Sequence, residues 1–254
     1  MGISLILPTR ARRRSLGRGA WLPAEQLQRE VGRKILGVSS KTCNEVITGE
    51  LGWLSMKSRR DVARLRFWWK LVNLEEGKLL KQVYSVCKPV LENDRSSWFY
   101  GIRELLKELK LAHVWTSEQT GPRKEWLVLV NGCIKRREKD SWMSGMEAKS
   151  KLRLYRVLKS RWGKEEYLNL PTEQRSLITE LRCGTSRLRV ELGRWQQELR
   201  EDRVCVLCDG YEIEDERHVL LKCPVYANQR ARFFDGFRGL VGYDLHRMDG
   251  TRTG

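Results

Sequence analysis

Apolar residues recur along most of this chain at intervals of three and four, the period of an amphipathic helix, and strand-like alternation is scarce. Pro23-Ala24-Glu25 opens one such pattern that runs through Gly37, and Ser55 to Val72 and Ser97 to Leu111 carry two more. Arg123 to Trp162 makes a long, interrupted fourth, and Pro171-Thr172-Glu173 opens a fifth that ends near Cys183-Gly184. The one extended-looking apolar run, Trp126 to Val130, leads into Asn131-Gly132-Cys133-Ile134 and then a highly charged stretch. Breaks fall at Leu91 to Ser97, at Thr116 to Pro122 with its Gly121-Pro122 pair, and around Asn169 to Pro171. The expected fold is all-α: an irregular basic helical body followed by a small C-terminal module. The expected segments are a basic disordered tail over 1–20, helical segments over 21–120 and 121–200, a knuckle over 201–230 and a tail over 231–254.

Composition adds a partner class to that picture. Among 254 residues, 49 Lys and Arg outnumber 32 Asp and Glu, for a net charge of +17, which favours a polyanion such as nucleic acid. Hydrophobic residues make up 41% and include 10 Trp, which excludes wholesale disorder. No stretch approaches the roughly 18 consecutive apolar residues of a membrane span, and Ile3 to Leu7 is too short for a signal-peptide core. The expectation is therefore an intracellular protein of nucleus or cytoplasm, neither secreted nor membrane-bound. Arg10, Arg12, Arg13, Arg14 and Arg18 stand near the start without an acid among them. They suit a presequence, a nuclear-localisation patch or an arm for phosphates, and equally a plain disordered tail.

Two helical stretches concentrate the positive charge. From Lys57 to Lys70 there are six basic residues against Asp61 alone. Val62, Leu65, Trp69 and Val72 form the expected core stripe, whereas Arg59, Arg66 and Lys70 fall within about 40° of one another elsewhere on the helix. Gly145 to Trp162 repeats the design, with Lys149, Arg153 and Arg156 on a shared face. Such triads can meet a phosphate backbone, though each is also what a solvated face looks like, and neither carries a base-reading code. Trp68, Trp69, Trp98, Trp142 and Trp162 read as core aromatics before stacking platforms.

The sharpest motif stands near the C-terminus, where Cys205, Cys208, His218 and Cys223 give C-x2-C-x9-H-x4-C. Two cysteines from a tight turn and a His and Cys five positions apart close a tetrahedron, and zinc suits the mixed thiolate and imidazole set best. Four protein ligands leave no open position, so the site is expected to be structural. Cys43, Cys87, Cys133 and Cys183 lack partners at ligand spacing and read as small buried hydrophobes. Glu201 to Cys223 carries seven acids and three bases, net −4, leaving +21 on the remainder. Three thiolates and a zinc ion add a further −1, so the knuckle reads as a staple before a phosphate grip. There is no adjacent Asp pair, phosphate loop or nucleophile elbow, and only His113, His218 and His246 as imidazole bases. No catalysis and no small-molecule substrate are expected of this chain.

The order of these motifs resembles the region downstream of the reverse transcriptase domain in non-LTR, LINE-type retrotransposon polyproteins. The first block is Val31 to Leu74, with Arg33-Lys34-Ile35-Leu36-Gly37, Gly49-Glu50-Leu51-Gly52-Trp53, Arg59-Arg60-Asp61 and Arg64-Leu65-Arg66-Phe67-Trp68. The second runs from Leu181-Arg182-Cys183-Gly184 to Gly193-Arg194-Trp195. The third, Cys205 to Tyr226, holds Glu214-Asp215-Glu216-Arg217-His218 and Cys223-Pro224-Val225-Tyr226. The resemblance implies a parent that copies RNA into DNA at a chromosomal target, with this region holding RNA or DNA beside a reverse transcriptase domain. The polymerase carboxylates and an endonuclease domain are missing, so the expectation is a fragmentary copy acting as a sequence-tolerant nucleic-acid-binding segment. The alternatives are a protein-interaction module using the acidic knuckle, or a remnant without function.

Overall fold

In a computed structural model of the chain, residues 22–241 are described, with side chains from 23 to 235. The Arg-rich start and His246 lie outside the described residues. Those described are mostly helical, as the apolar period predicts, and hold no strand, only two isolated antiparallel bridges, Leu51 with Lys164 and Val204 with Ile213. None of their helices is long and apolar enough to cross a membrane.

The chain forms two compact units that divide between Ser176 and Leu177. The first contains α1 (Leu22–Leu36), α2 (Asn44–Leu51), α3 (Met56–Val72), α4 (Leu79–Leu91), α5 (Trp98–Glu108), α6 (Ala112–Ser117), α7 (Arg123–Glu147) and α8 (Arg153–Leu158). Helix α9 (Thr172–Cys183) runs across the division, and α10 (Arg189–Trp195) and α11 (Ala227–Val241) belong to the second unit. Helix starts are set by local chemistry. Ser55 caps α3 by accepting from the Ser58 amide at 3.2 Å, and Ser97 caps α5 through the Tyr100 amide at 2.9 Å. Trp126 to Val130 lies in the first turns of α7, where Trp126, Val130 and Ile134 make a buried stripe at four-residue spacing. The fourth expected pattern is interrupted as its sequence suggests: α7 ends at Glu147, a short 3-10 turn covers Ser150–Leu152, and α8 follows.

One core of the first unit gathers Leu65, Trp68 and Leu71 of α3, Tyr84 of α4, Ile102 and Leu106 of α5, Trp115 of α6, and the α7 stripe. It runs through the expected break near residue 120. A second, smaller cluster packs Leu36, Ile47, Leu51 and Leu168. The core stripe of α3 is rotated from the expected one: Leu65 and Val72 are buried, but Val62 and Trp69 sit half-buried at the edge while Trp68 occupies the centre. The reason is Asp61, whose side chain is only 2% exposed because Arg137 of α7 reaches it at 2.8 Å. That pair pulls the Asp61, Leu65, Trp68 side of the helix inward. Of the tryptophans expected in the core, Trp68 and Trp142 are buried, and Trp69, Trp98 and Trp162 are half-buried.

Two glycines in the Gly49-Glu50-Leu51-Gly52-Trp53 block are demanded by close packing. A Cβ on Gly49 would lie 2.5 Å from the Tyr155 hydroxyl and 2.6 Å from Trp142 Nε1. Gly52 ends α2 at φ +63, and a Cβ there would meet the Lys164 backbone nitrogen at 2.8 Å. The 163–165 segment is thus laid directly on the end of α2, where the Glu165 amide donates to Glu50 O at 3.1 Å.

Candidate metal centre and cationic faces

In the second unit the chain folds back on itself around the metal-spaced residues. The Cys205 amide donates to Glu212 O at 2.8 Å and the Glu214 amide to Arg203 O at 2.9 Å, which places Cys205 and Cys208 in the turn of a minimal hairpin. Asp215 then starts a helical turn, its carboxylate accepting from the His218 amide at 3.0 Å. The turn closes wide, with the Cys223 amide bonded to His218 O at 2.7 Å. Arg230 of α11 secures its end by donating to Val219 O at 3.3 Å and Cys223 O at 2.6 Å.

All four expected ligands meet. The sulfurs of Cys205, Cys208 and Cys223 and a ring nitrogen of His218 lie within 4.8 Å of one another. Sulfur ligands about 2.3 Å from a tetrahedral ion stand about 3.8 Å apart, so one ion fits with little movement. Cys208 Sγ is 3.4 Å from His218 Nε2, while His218 Nδ1 faces Glu212 Oε2 at 3.3 Å. That carboxylate holds the ring so that Nε2 is the free ligand nitrogen, the arrangement in which an outer carboxylate orients a metal-bound imidazole. Lys222 in turn grips both Glu212 oxygens at 3.0 Å. Lys222 first, and His218 second, hold the Glu212 carboxyl below its usual range. The Gly210 amide draws the Cys208 thiol down, but desolvation and hydrogen bonds to Cys205 and Cys223 outweigh it and leave the thiol above its ordinary value. Crowded sulfurs resist ionising together, and a cation among them reverses that.

The packing of this unit argues for a metal independently. Among its described residues the buried apolar side chains are Cys183, Val190, Cys205 and Cys223, and His218 is buried beside them. Two of those four apolar side chains are ligand candidates. Meanwhile Leu199, Val206, Leu207, Tyr211, Leu220 and Leu221 all face outward. With so few buried aliphatics the described part of this unit has little apolar core of its own, and the four candidate ligands are placed so that they could hold one ion.

The sequence marked these ligands but passed over Glu212, although an acid inside the C-x2-C to His interval is a visible signal for such an orienting partner. Of the remaining cysteines, Cys183 is buried as expected, and Cys43, Cys87 and Cys133 are half-buried. His113 is exposed.

The two cation triads fare differently. Arg59, Arg66 and Lys70 of α3 are all exposed, and no carboxylate pairs with them among the described residues. Burial of Asp61 explains this, since the only acid of the helix faces Arg137, Arg64 and Arg60. The second triad does not form one face. Lys149 lies in extended backbone before α8 and pairs with Glu45, Arg153 is half-buried, and Arg156 is exposed and donates to Glu147 O at 3.1 Å. The break between α7 and α8 shifts Lys149 off the helical register that joined the three. Lys159, from the same basic run, is turned inward altogether.

Compared with protein-family models, with curated proteins and with solved structures, the chain matches none of them.

Proposed function

We propose that this chain is a zinc-stapled, sequence-tolerant nucleic-acid-binding segment of the kind found downstream of the reverse transcriptase domain in LINE-type retrotransposons. The observation that carries the reading is the outward face of α3, where Arg59, Arg66 and Lys70 stand exposed and without an acid while Asp61 is buried against Arg137. Long-range attraction to phosphate and release of its counterions then supply affinity without base readout. The ion at Cys205, Cys208, His218 and Cys223 is zinc, since three thiolates and one imidazole suit that metal and leave it no open coordination site. Its role is to hold the second unit together.

The test is a filter-binding series over salt with RNA, single-stranded DNA and duplex DNA. Neutralising three phosphates gives a slope of log K against log salt of at least about −2. Binding that ignores salt would reject the reading. It would favour instead a protein-docking module built on the outward Val206, Leu207 and Tyr211 beside the metal site, a second reading that their exposure supports.

A further inference from the structure

The first unit contains an open groove of about 920 Å³ whose rim carries Arg59, Lys135, Arg136, Lys139, Arg161 and Lys164. All six are exposed, and no acidic residue lines the groove. Two of the acids nearest in sequence, Glu138 and Glu165, are engaged elsewhere. Glu138 accepts from the Ser55 hydroxyl at 2.9 Å and from Ser58, and Glu165 pairs with the buried Lys159. Lys159 also donates to Gly163 O at 2.7 Å, so the segment carrying Arg161, Trp162 and Lys164 is tied from beneath and laid on Gly52.

Two tryptophans, Trp53 and Trp162, line the same groove, and each is half-buried. Trp162 differs from the packed indoles. Those of Trp68, Trp69, Trp115, Trp126 and Trp142 each donate to a neighbouring element, at 2.8 to 3.2 Å. The Trp162 indole N–H is buried and has no hydrogen-bond partner among the described residues, so this ring is seated in the groove wall without a polar bond of its own. Cations that can follow a phosphate backbone, beside aromatic faces on which bases can stack, are the two components of a single-strand site. A duplex offers its phosphates but hides the faces of its bases.

We infer that this groove takes a single-stranded stretch of polynucleotide, with phosphates on the six cations and a base against Trp162. The inference rests on the nucleic-acid function proposed above and adds strand selectivity to it. It is tested by fluorescence anisotropy of the full chain at about 0.15 M salt, where the Debye length is about 8 Å, with labelled oligo(U), oligo(dT) and a DNA duplex of equal length. The single strands should bind at least about tenfold tighter than the duplex. Trp162→Ala should weaken single-strand binding roughly 5-fold to 100-fold, leave duplex binding within about twofold, and be largely rescued by Trp162→Phe. Should Trp162→Ala melt early, Lys139→Ala with Lys164→Ala serves in its place, because both side chains are exposed. That pair should flatten the single-strand salt slope by about 1.4. A duplex bound as tightly as the single strands, or variants that weaken both equally, would overturn the groove while leaving a salt-dependent nucleic-acid function standing. Failure to bind any of the three would remove both.

Discussion

Chelation should unfold the second unit and spare the first. In the second unit Val190 is the only buried aliphatic side chain among the described residues, and burying one valine is worth roughly 1.5–3 kcal/mol. A structural zinc in a small module supplies about 10–16 kcal/mol, so an ion bound at the proposed site would outweigh anything the local core offers. The first unit owes it nothing: its two clusters are built from Leu, Ile, Val, Trp and Tyr between residues 36 and 168. Trypsin digestion of protein purified with zinc and then stripped with a chelator reads the difference. Arg203, Arg217 and Lys222 should become cleavable within minutes while a fragment ending near Ser176 persists, and far-UV circular dichroism should keep most of its helical signal. If the stripped chain keeps those sites protected, the metal is not what holds the unit, and the argument from its sparse core is wrong.

Other perturbations probe the remaining structure. Glu212→Ala should weaken zinc binding by about 10- to 100-fold in competition with a chromophoric chelator, by releasing the His218 ring, and an unchanged affinity would refute its orienting role. Asp61→Ala should lower the midpoint of the first unit by about 6–12 °C, corresponding to about 3 kcal/mol, the lower end of the cost of orphaning a buried charge because Arg137 keeps Glu108 at 3.2 Å; a shift under about 2 °C on the same scale would show that the pair does not organise α3. Burial alone would raise the Glu118 carboxyl, yet hydrogen bonds from Lys88 and Tyr84 bring it below the usual range, so its contribution is full above the unfolded value and lost as pH falls through the lower folded one. Burial, and then the bond to Glu118, push the Tyr84 phenol above its usual range, so that contribution is full below about pH 10 and lost as pH rises. These two groups leave the melting temperature of the first unit unaffected between about pH 5 and 9, with its acid decline made shallower by Glu118→Gln; an unaltered acid limb in that variant would refute the assignment.

Much of the first unit was legible from its apolar period, because α3, α5 and α7 start at Ser or Gly-Pro signals and bury one stripe each. Helices α2, α4 and the short α6 were not. The apolar residues Leu79, Val83, Val86 and Val90 of α4 recur at helical spacing but are exposed, and Pro89 inside the helix obscures the pattern. Helix α2 is only 8 residues long, so its buried Val46, Ile47 and Leu51 make too short a run for a period to show. The meeting of Cys205, Cys208, His218 and Cys223 was legible, since their spacing is local. The cation faces were legible only where one straight helix carries them, as in α3, and failed where a break resets the register, as between Lys149 and Arg153. The basic groove could not be read from the chain at all. It joins Arg59, the α7 run from Lys135 to Lys139, and the 161–164 segment, and within that run Arg137 points inward to Asp61. Which members of a charge run face outward is decided by where the buried acids lie.

The central claim, that the cationic helical body grips nucleic acid while the metal site is a staple, meets its most direct test in one paired binding measurement. Arg59, Arg66 and Lys70 are changed together to Glu in one protein, Cys208 and Cys223 together to Ser in another, and both are titrated with RNA and DNA over a range of salt after melting curves confirm that the first unit is folded. The account predicts that the triple reversal weakens binding to all sequences about equally and flattens the salt slope by about 0.7 to 0.9 for each phosphate no longer neutralised, and that the cysteine variant binds better than the reversed helix does. The contrary ranking, with the cysteine variant almost unable to bind and the reversed helix retaining its affinity, would place the nucleic-acid grip at the metal site and contradict the account.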